Sequence, residues 1–158
     1  MFRWYRDAAK CYVYFADVLR PALNMLTASP VSCPSFRKSR WFSRGWTLQE
    51  LVAPASVEFF SKESEYLGNK RSLERHIHEV TGIPVKALAR QPLSDFSVPE
   101  RMLWAENRDT TRKEDKAYSL LGIFDVHMPL IYGEGRETAF KRLRDEIHKA
   151  SQALFHIK

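Results

Sequence analysis

Trp41-Phe42-Ser43-Arg44-Gly45-Trp46-Thr47-Leu48-Gln49-Glu50-Leu51 gathers two indoles, a guanidinium and a carboxylate into one short run. The run reads as a turn entering a helix. Trp46 and Glu50 are four apart and share a face, Leu48, Leu51 and Val52 point elsewhere, and Pro54 stops the helix. A carboxylate beside an indole, half withdrawn from water, is a setting in which an acid's pKa rises or a cationic sugar is held. Arg44 offers a bidentate fork that fits a phosphate, or equally a carboxylate of the fold. Thr47 and Glu50 also have the spacing of a capping box, in which Glu50 satisfies backbone N–H groups and does no chemistry. Spacing alone leaves these readings open.

Other polar clusters point to structure. Thr111-Arg112-Lys113-Glu114-Asp115 reads as a capped, salt-bridged helix start, since acids belong there. Gly133-Glu134-Gly135 is too short for a phosphate loop and reads as a turn before the last helix. His76 and His78 are two apart on a helix and so not on one face. His127, His148 and His156 have no partners at ligand spacing, and no metal site is expected.

The elements that position these groups follow an α/β rhythm. Met1 to Ala9 forms a helix with Met1, Phe2, Tyr5 and Ala9 on its apolar side. Cys11 to Ala16 is unbroken apolar sequence, the pattern of a parallel strand covered on both faces, with Cys11 a buried thiol and Asp17 at the carboxyl end. Arg20 to Ser39, holding Pro21, Pro30 and Pro34, is a long surface loop. The Glu50 helix and a second strand, Val57 to Ser61, come next. Beyond them the chain is mostly helical. Leu73, Ile77 and Val80 belong to a helix closed by Gly82 and Pro84. Ser97-Val98-Pro99-Glu100 unites a Ser cap, an early proline and a capping-box Glu. Ala117 to Leu121 is a helix stopped by Gly122, and the last helix, about Glu137 to Lys149, buries Phe140, Leu143 and Ile147. Only two strands are legible, and a two-stranded sheet does not stand alone, so the sequence reads as starting within a fold.

Composition narrows the classes. The 158 residues suit one domain with a real core, and 44% hydrophobic with 13% aromatic content excludes a disordered chain. No apolar run reaches the roughly 20 residues that cross a bilayer, and the start matches neither a signal nor a transit peptide. With only Cys11 and Cys33, in no paired or metal-like spacing, the expected location is cytoplasmic. The net charge of +6 invites nucleic acid, but the basic residues are scattered among acids and no recognition motif appears, so nucleic-acid binding is not expected.

Several blocks carry a resemblance: Met1-Phe2-Arg3-Trp4-Tyr5-Arg6-Asp7-Ala8 leading into Cys11-Tyr12-Val13-Tyr14, then Arg40 to Leu51, Val57-Glu58-Phe59-Phe60, Thr111 to Val126, and Met128-Pro129-Leu130-Ile131-Tyr132-Gly133-Glu134-Gly135. In order and over nearly the whole chain, they resemble the HET domain, the heterokaryon-incompatibility domain of filamentous fungi. The resemblance implies residues 1–150 as a partial HET domain whose upstream half is missing, followed by a tail at 151–158. It implies an effector of programmed cell death in nonself recognition, with protein partners reached through self-association or a receptor body. Through a distant likeness to TIR domains it implies an incomplete flavodoxin-like (TIR-like) parallel sheet with a mostly helical C-terminal part. Several TIR domains cleave NAD with a glutamate in a Trp-x-x-x-Glu arrangement, the pattern of Trp46 to Glu50. By that analogy Glu50 is the catalytic acid, Trp46, Arg44 and Trp41 bind substrate, and NAD is substrate rather than cofactor. A non-enzymatic interaction module and an inactive relic are the alternatives.

Overall fold

The computed structural model describes residues 1–19 and 34–156. Nine α-helices and three strands appear among them. In chain order they are α1 (Phe2–Asp7), β1 (Cys11–Tyr14), α2 (Pro34–Arg37), α3 (Thr47–Val52), β2 (Val57–Phe60), β3 (Tyr66–Asn69), α4 (Glu74–Thr81), α5 (Val85–Leu88), α6 (Val98–Leu103), α7 (Asp115–Tyr118), α8 (Leu121–Phe124) and α9 (Arg136–Phe155). One-turn 3-10 helices lie at Arg40–Ser43 and Leu93–Asp95. The protein is a mixed α/β structure with one small sheet, ordered β1-β2-β3.

β1 and β2 run parallel with Val13 opposite Phe59, and the Trp41–Leu51 stretch lies in the crossover between them. Alternation sends Val13, Phe15, Val57 and Phe59 into the core. There Phe15 stacks on Phe59 at 5.6 Å, and Phe36 and Trp41 meet the Phe15 ring edge-on. β1 departs from expectation in one respect. Tyr12 and Tyr14 are exposed, so one face of this strand is open rather than covered. The apolar run is continuous because tyrosine sits comfortably half in water. Cys11 is half-buried, and partial burial followed by the charge of Glu50 raises its thiol pKa.

β3 is a third strand, antiparallel to β2, where only two were expected. Its sequence Tyr66-Leu67-Gly68-Asn69 holds two poor strand formers. Gly68 has φ +143°, and a Cβ there would lie 2.9 Å from the side chains of Leu73 and Ser72. The expected surface loop from Arg20 to Ser39 falls largely outside the described residues, as does Cys33. Its last part forms α2 and leads to Ser39. Asp17, just past β1, accepts from Ser39 Oγ at 2.7 Å and the Arg40 amide at 2.8 Å. Burial opposes its ionisation, but these two donors together with its own backbone N–H and the charge of Arg40 hold the carboxyl below its usual range.

The helical part largely follows its caps. Gly82 closes α4 in the left-handed region, and Ser97 with Glu100 makes the reciprocal capping box of α6. Two expectations fail. Gly122 lies inside α8 instead of stopping a helix: a Cβ there would sit 2.2 Å from Phe2 Cβ, so its role is close approach to α1. Glu114 is not a capping-box partner of Thr111. Its Oε1 accepts from the Gly133 and Gly135 amides, both at 3.0 Å, and ties the turn before α9 to the start of α7. Its own backbone N–H and then that of Gly135 lower its pKa. α9 buries Ala139, Leu143 and Ile147, leaves Phe140 half-buried, and continues past the expected end at Lys149 to Phe155.

Candidate functional site

The turn entering α3 is held by three polar side chains. Ser39 Oγ accepts from the Trp41 amide at 3.3 Å and so starts the 3-10 turn. Thr47 Oγ1 lies 2.6 Å from the Trp41 carbonyl and 2.7 Å from that of Arg44, its one proton serving both. The same oxygen accepts from Arg108 Nη1 at 2.9 Å. Thr47 is thereby committed to the turn. The capping-box reading of Thr47 and Glu50 is incorrect, for the N-cap position of α3 is Trp46 and no side chain caps it.

Arg108 is the buried anchor of this region. Its Nε donates to the Trp104 carbonyl at 3.2 Å, its Nη1 also reaches the Arg44 carbonyl at 3.0 Å, and Nη2 has no partner. Burial pulls its pKa down to about 10, which leaves the guanidinium charged at neutral pH. The next residue completes the staple: the Asp109 amide donates to Ser43 O at 2.6 Å and the Gly45 amide to Asp109 O at 2.8 Å. Gly45 has to be glycine for this approach, because a Cβ would lie 2.4 Å from Thr110 Cγ2.

The two joined segments wall a cleft of ≈ 320 Å³ lined by Arg44, Gly45, Trp46, Asp109, Thr110, Thr111 and Asp115. Arg44 is exposed and Trp46 half-buried. Among the described residues neither Arg44 nor Asp109 forms an ion pair. Asp115 accepts from Tyr132 Oη at 2.9 Å, and the Arg112 guanidinium lies over the Tyr132 ring at 4.4 Å. A cleft lined by an indole, a guanidinium and a carboxylate, the last two with no ion-pair partner among the described residues, can hold a polar ligand that carries a planar group.

Of the residues expected at a site, Arg44 and Trp46 line this cleft; Glu50 and Trp41 do not. Glu50 is half-buried one turn further along α3 and accepts from the Tyr5 hydroxyl of α1 at 3.2 Å. Burial and then that carboxylate push the Tyr5 pKa up to about 12. Trp41 packs edge-on against Phe15, Phe42 and Phe59 and belongs to the core margin. Asp109 and Arg108 were not singled out by sequence and no local pattern marks them, while Thr111 and Asp115 belong to the cluster read as a capped helix start rather than as part of a site. Among the described residues no cluster of His, Cys, Asp and Glu could hold a metal ion, and no helix is long and apolar enough to cross a membrane.

Over all 158 residues the chain is 59% identical to the vegetative incompatibility protein HET-E-1 of Podospora anserina. The chain is related by sequence to a segment of that protein. It spans 12% of the length of HET-E-1, so it corresponds to one segment of a much larger protein. No family model matches the sequence, and no solved structure matches it. Identity of this level over the full chain makes the fold described here a description of that segment of HET-E-1 as well.

Proposed function

We propose that this chain acts in vegetative incompatibility, as a cytoplasmic effector segment of HET type that triggers cell death on nonself recognition. The observation that carries the reading is the 59% identity to HET-E-1 across the whole chain. The death-inducing chemistry we assign to it is cleavage of NAD. Trp46 and Arg44 in the cleft offer a stacking face and a phosphate partner, with Glu50 one turn away on the same helix. Breaking the nicotinamide–ribose bond builds positive charge on the sugar, and the Glu50 carboxylate would stabilise it. In this reading a ribose hydroxyl takes the place of the Tyr5 hydroxyl on Glu50, and Trp41 supports the Arg44–Trp46 turn from behind. The parallel β1–β2 pair with α3 in its crossover is compatible with a flavodoxin-like (TIR-like) ancestry of residues 1–150.

A second reading is an interaction module that kills by assembling with partners, through self-association or a receptor body. It is favoured by the position of Glu50, engaged by Tyr5 and outside the cleft. One experiment separates the two: NAD content and viability in fungal cells expressing the chain or its Glu50→Gln variant. Loss of NAD and viability with the native chain alone supports cleavage. Death with both and steady NAD supports assembly, and survival with both, given soluble protein, sinks the effector reading for this chain.

A further inference from the structure

The four tryptophans of the chain divide by what their rings meet. Trp41 packs edge-on against Phe15, Phe42 and Phe59, and Trp104 against Phe96. Trp4 is 83% exposed. Trp46 packs in part against the core and lines the cleft, and among the described residues no ring or cation lies over it. An indole face is the aromatic surface that attracts cations best. The charges around it share that preference, since one guanidinium, Arg44, stands against two carboxylates, Asp109 and Asp115. Arg44 and Asp109 are exposed bridge partners, so solvent and salt screen both and their fields offset each other. Asp115 is half-buried and keeps more of its field. One of its oxygens accepts from the Tyr132 hydroxyl, and the other has no partner among the described residues. The Tyr132 ring itself already carries a planar cation, the Arg112 guanidinium at 4.4 Å.

Size narrows the ligand further. At ≈ 320 Å³ the cleft is at the small end of ligand sites, which run from roughly 300 to 1,000 Å³. It takes one substituted ring rather than a whole dinucleotide. Its walls are set beforehand by the bonds from Asp109 to Ser43 and Gly45, so little ordering is left for a ligand to impose. We propose that the cleft receives a planar organic cation, stacked on the indole of Trp46 and balanced by the carboxylates of Asp115 and Asp109. Naming that cation as the oxidised nicotinamide ring of NAD rests on the cleavage reading above, and gives Trp46 to the ring that leaves rather than to the adenine. The preference for a planar cation rests on the cleft alone.

The test titrates the full chain with three molecules that share one ring and differ in charge. They are N-methylnicotinamide quaternised on the ring nitrogen, a cation; nicotinamide, neutral; and nicotinate, an anion. Proton–nitrogen NMR spectra resolve the indole N–H groups, and Trp46→Phe assigns the one in the cleft. That signal should move saturably with the cation, at a dissociation constant on the order of millimolar for so small a ligand. Nicotinamide should bind about tenfold more weakly, and nicotinate least. Asp115→Asn keeps an acceptor for Tyr132, and Asp109→Asn breaks no side-chain bond. Together they should bring the cation down to the level of the neutral ring. No shift at Trp46, equal affinity for cation and neutral ring, tightest binding by nicotinate, or full cation affinity in the double variant would overturn the proposal. A cation bound at Trp46 while cellular NAD holds steady would remove cleavage and leave this site. Falling NAD without any preference for the cation would leave cleavage and remove this site.

Discussion

Lys70 supports the far end of the helix that carries Glu50, and its titration offers a quantitative check on the packing there. Its ammonium is buried and donates to the carbonyls of Leu51 at 3.1 Å and Pro54 at 2.5 Å, the C-terminal end of α3. Burial first, then the charge of Arg90, lowers its pKa from 10.5 to about 8. At 1.36 kcal/mol per pKa unit, that displacement is a penalty of about 3 kcal/mol on burying the charged form. Below pH 8 both folded and unfolded chains carry the proton and the penalty is constant. Between pH 8 and 10.5 the folded state releases it first, the unfolded state binds more protons, and stability rises with pH. Cys11, with its raised thiol pKa, pulls the other way above pH 9, so the comparison belongs in a Cys11→Ala background. Urea melts from pH 7 to 10.5 of that protein and of the same protein carrying Lys70→Met should diverge. The lysine form should gain about 3 kcal/mol relative to the methionine form across the range. A difference constant to within about 0.5 kcal/mol would refute the reasoning and mean that water reaches this ammonium.

Gly122→Ala should cost about 1–3 kcal/mol in chemical denaturation by driving a methyl into Phe2; Phe2→Ala in the same chain should recover part of that loss. Arg108→Met removes the bonds to Arg44 O, Thr47 Oγ1 and Trp104 O, and should cost about 1–3 kcal/mol. It should also make tryptophan fluorescence more accessible to a neutral quencher, whereas an unchanged quenching profile would show that the turn holds its shape without Arg108. Glu50→Gln should lower the pKa of Tyr5 from about 12, since it removes a charge that disfavours the phenolate. Ultraviolet difference titration against a Tyr5→Phe control isolates that group, and an unmoved pKa would show that burial alone sets it.

What could be read in the sequence was local. β1, β2, α3, α4, α6 and α9 announce themselves through apolar period, caps and breakers within a few residues. β3 does not, because only pairing with β2 makes an extended strand of a segment holding Gly68 and Asn69. Density of aromatic residues was a mixed guide. It led to Trp46, which does line the cleft, and equally to Trp41, whose ring completes the core around Phe15 and Phe59. Glu114 had capping spacing from Thr111, yet its carboxylate found the amides of Gly133 and Gly135 across the fold. The second wall of the cleft was read only as a capped helix start, from Thr111 to Asp115, for the same reason. Asp109 and Asp115 come to line one cleft with Arg44 only through tertiary folding, and an arginine such as Arg108 in a charged stretch reads as surface until its burial is seen.

The staple between Arg44 and Arg108 joins residues 64 apart. On a ribosome adding roughly 5–20 residues each second, the wall bearing Arg44 and Trp46 waits about 3–13 s for the wall that faces it. A polypeptide stopped before Asp109 contains both indoles and the Glu50 helix but has no cleft. Whatever this chain does through that cleft therefore cannot begin before Asp115 has been made, and fragments released early carry the conspicuous motif without its counterpart. Synthesis itself keeps the cleft unassembled until its second wall, Asp109 to Asp115, has been made.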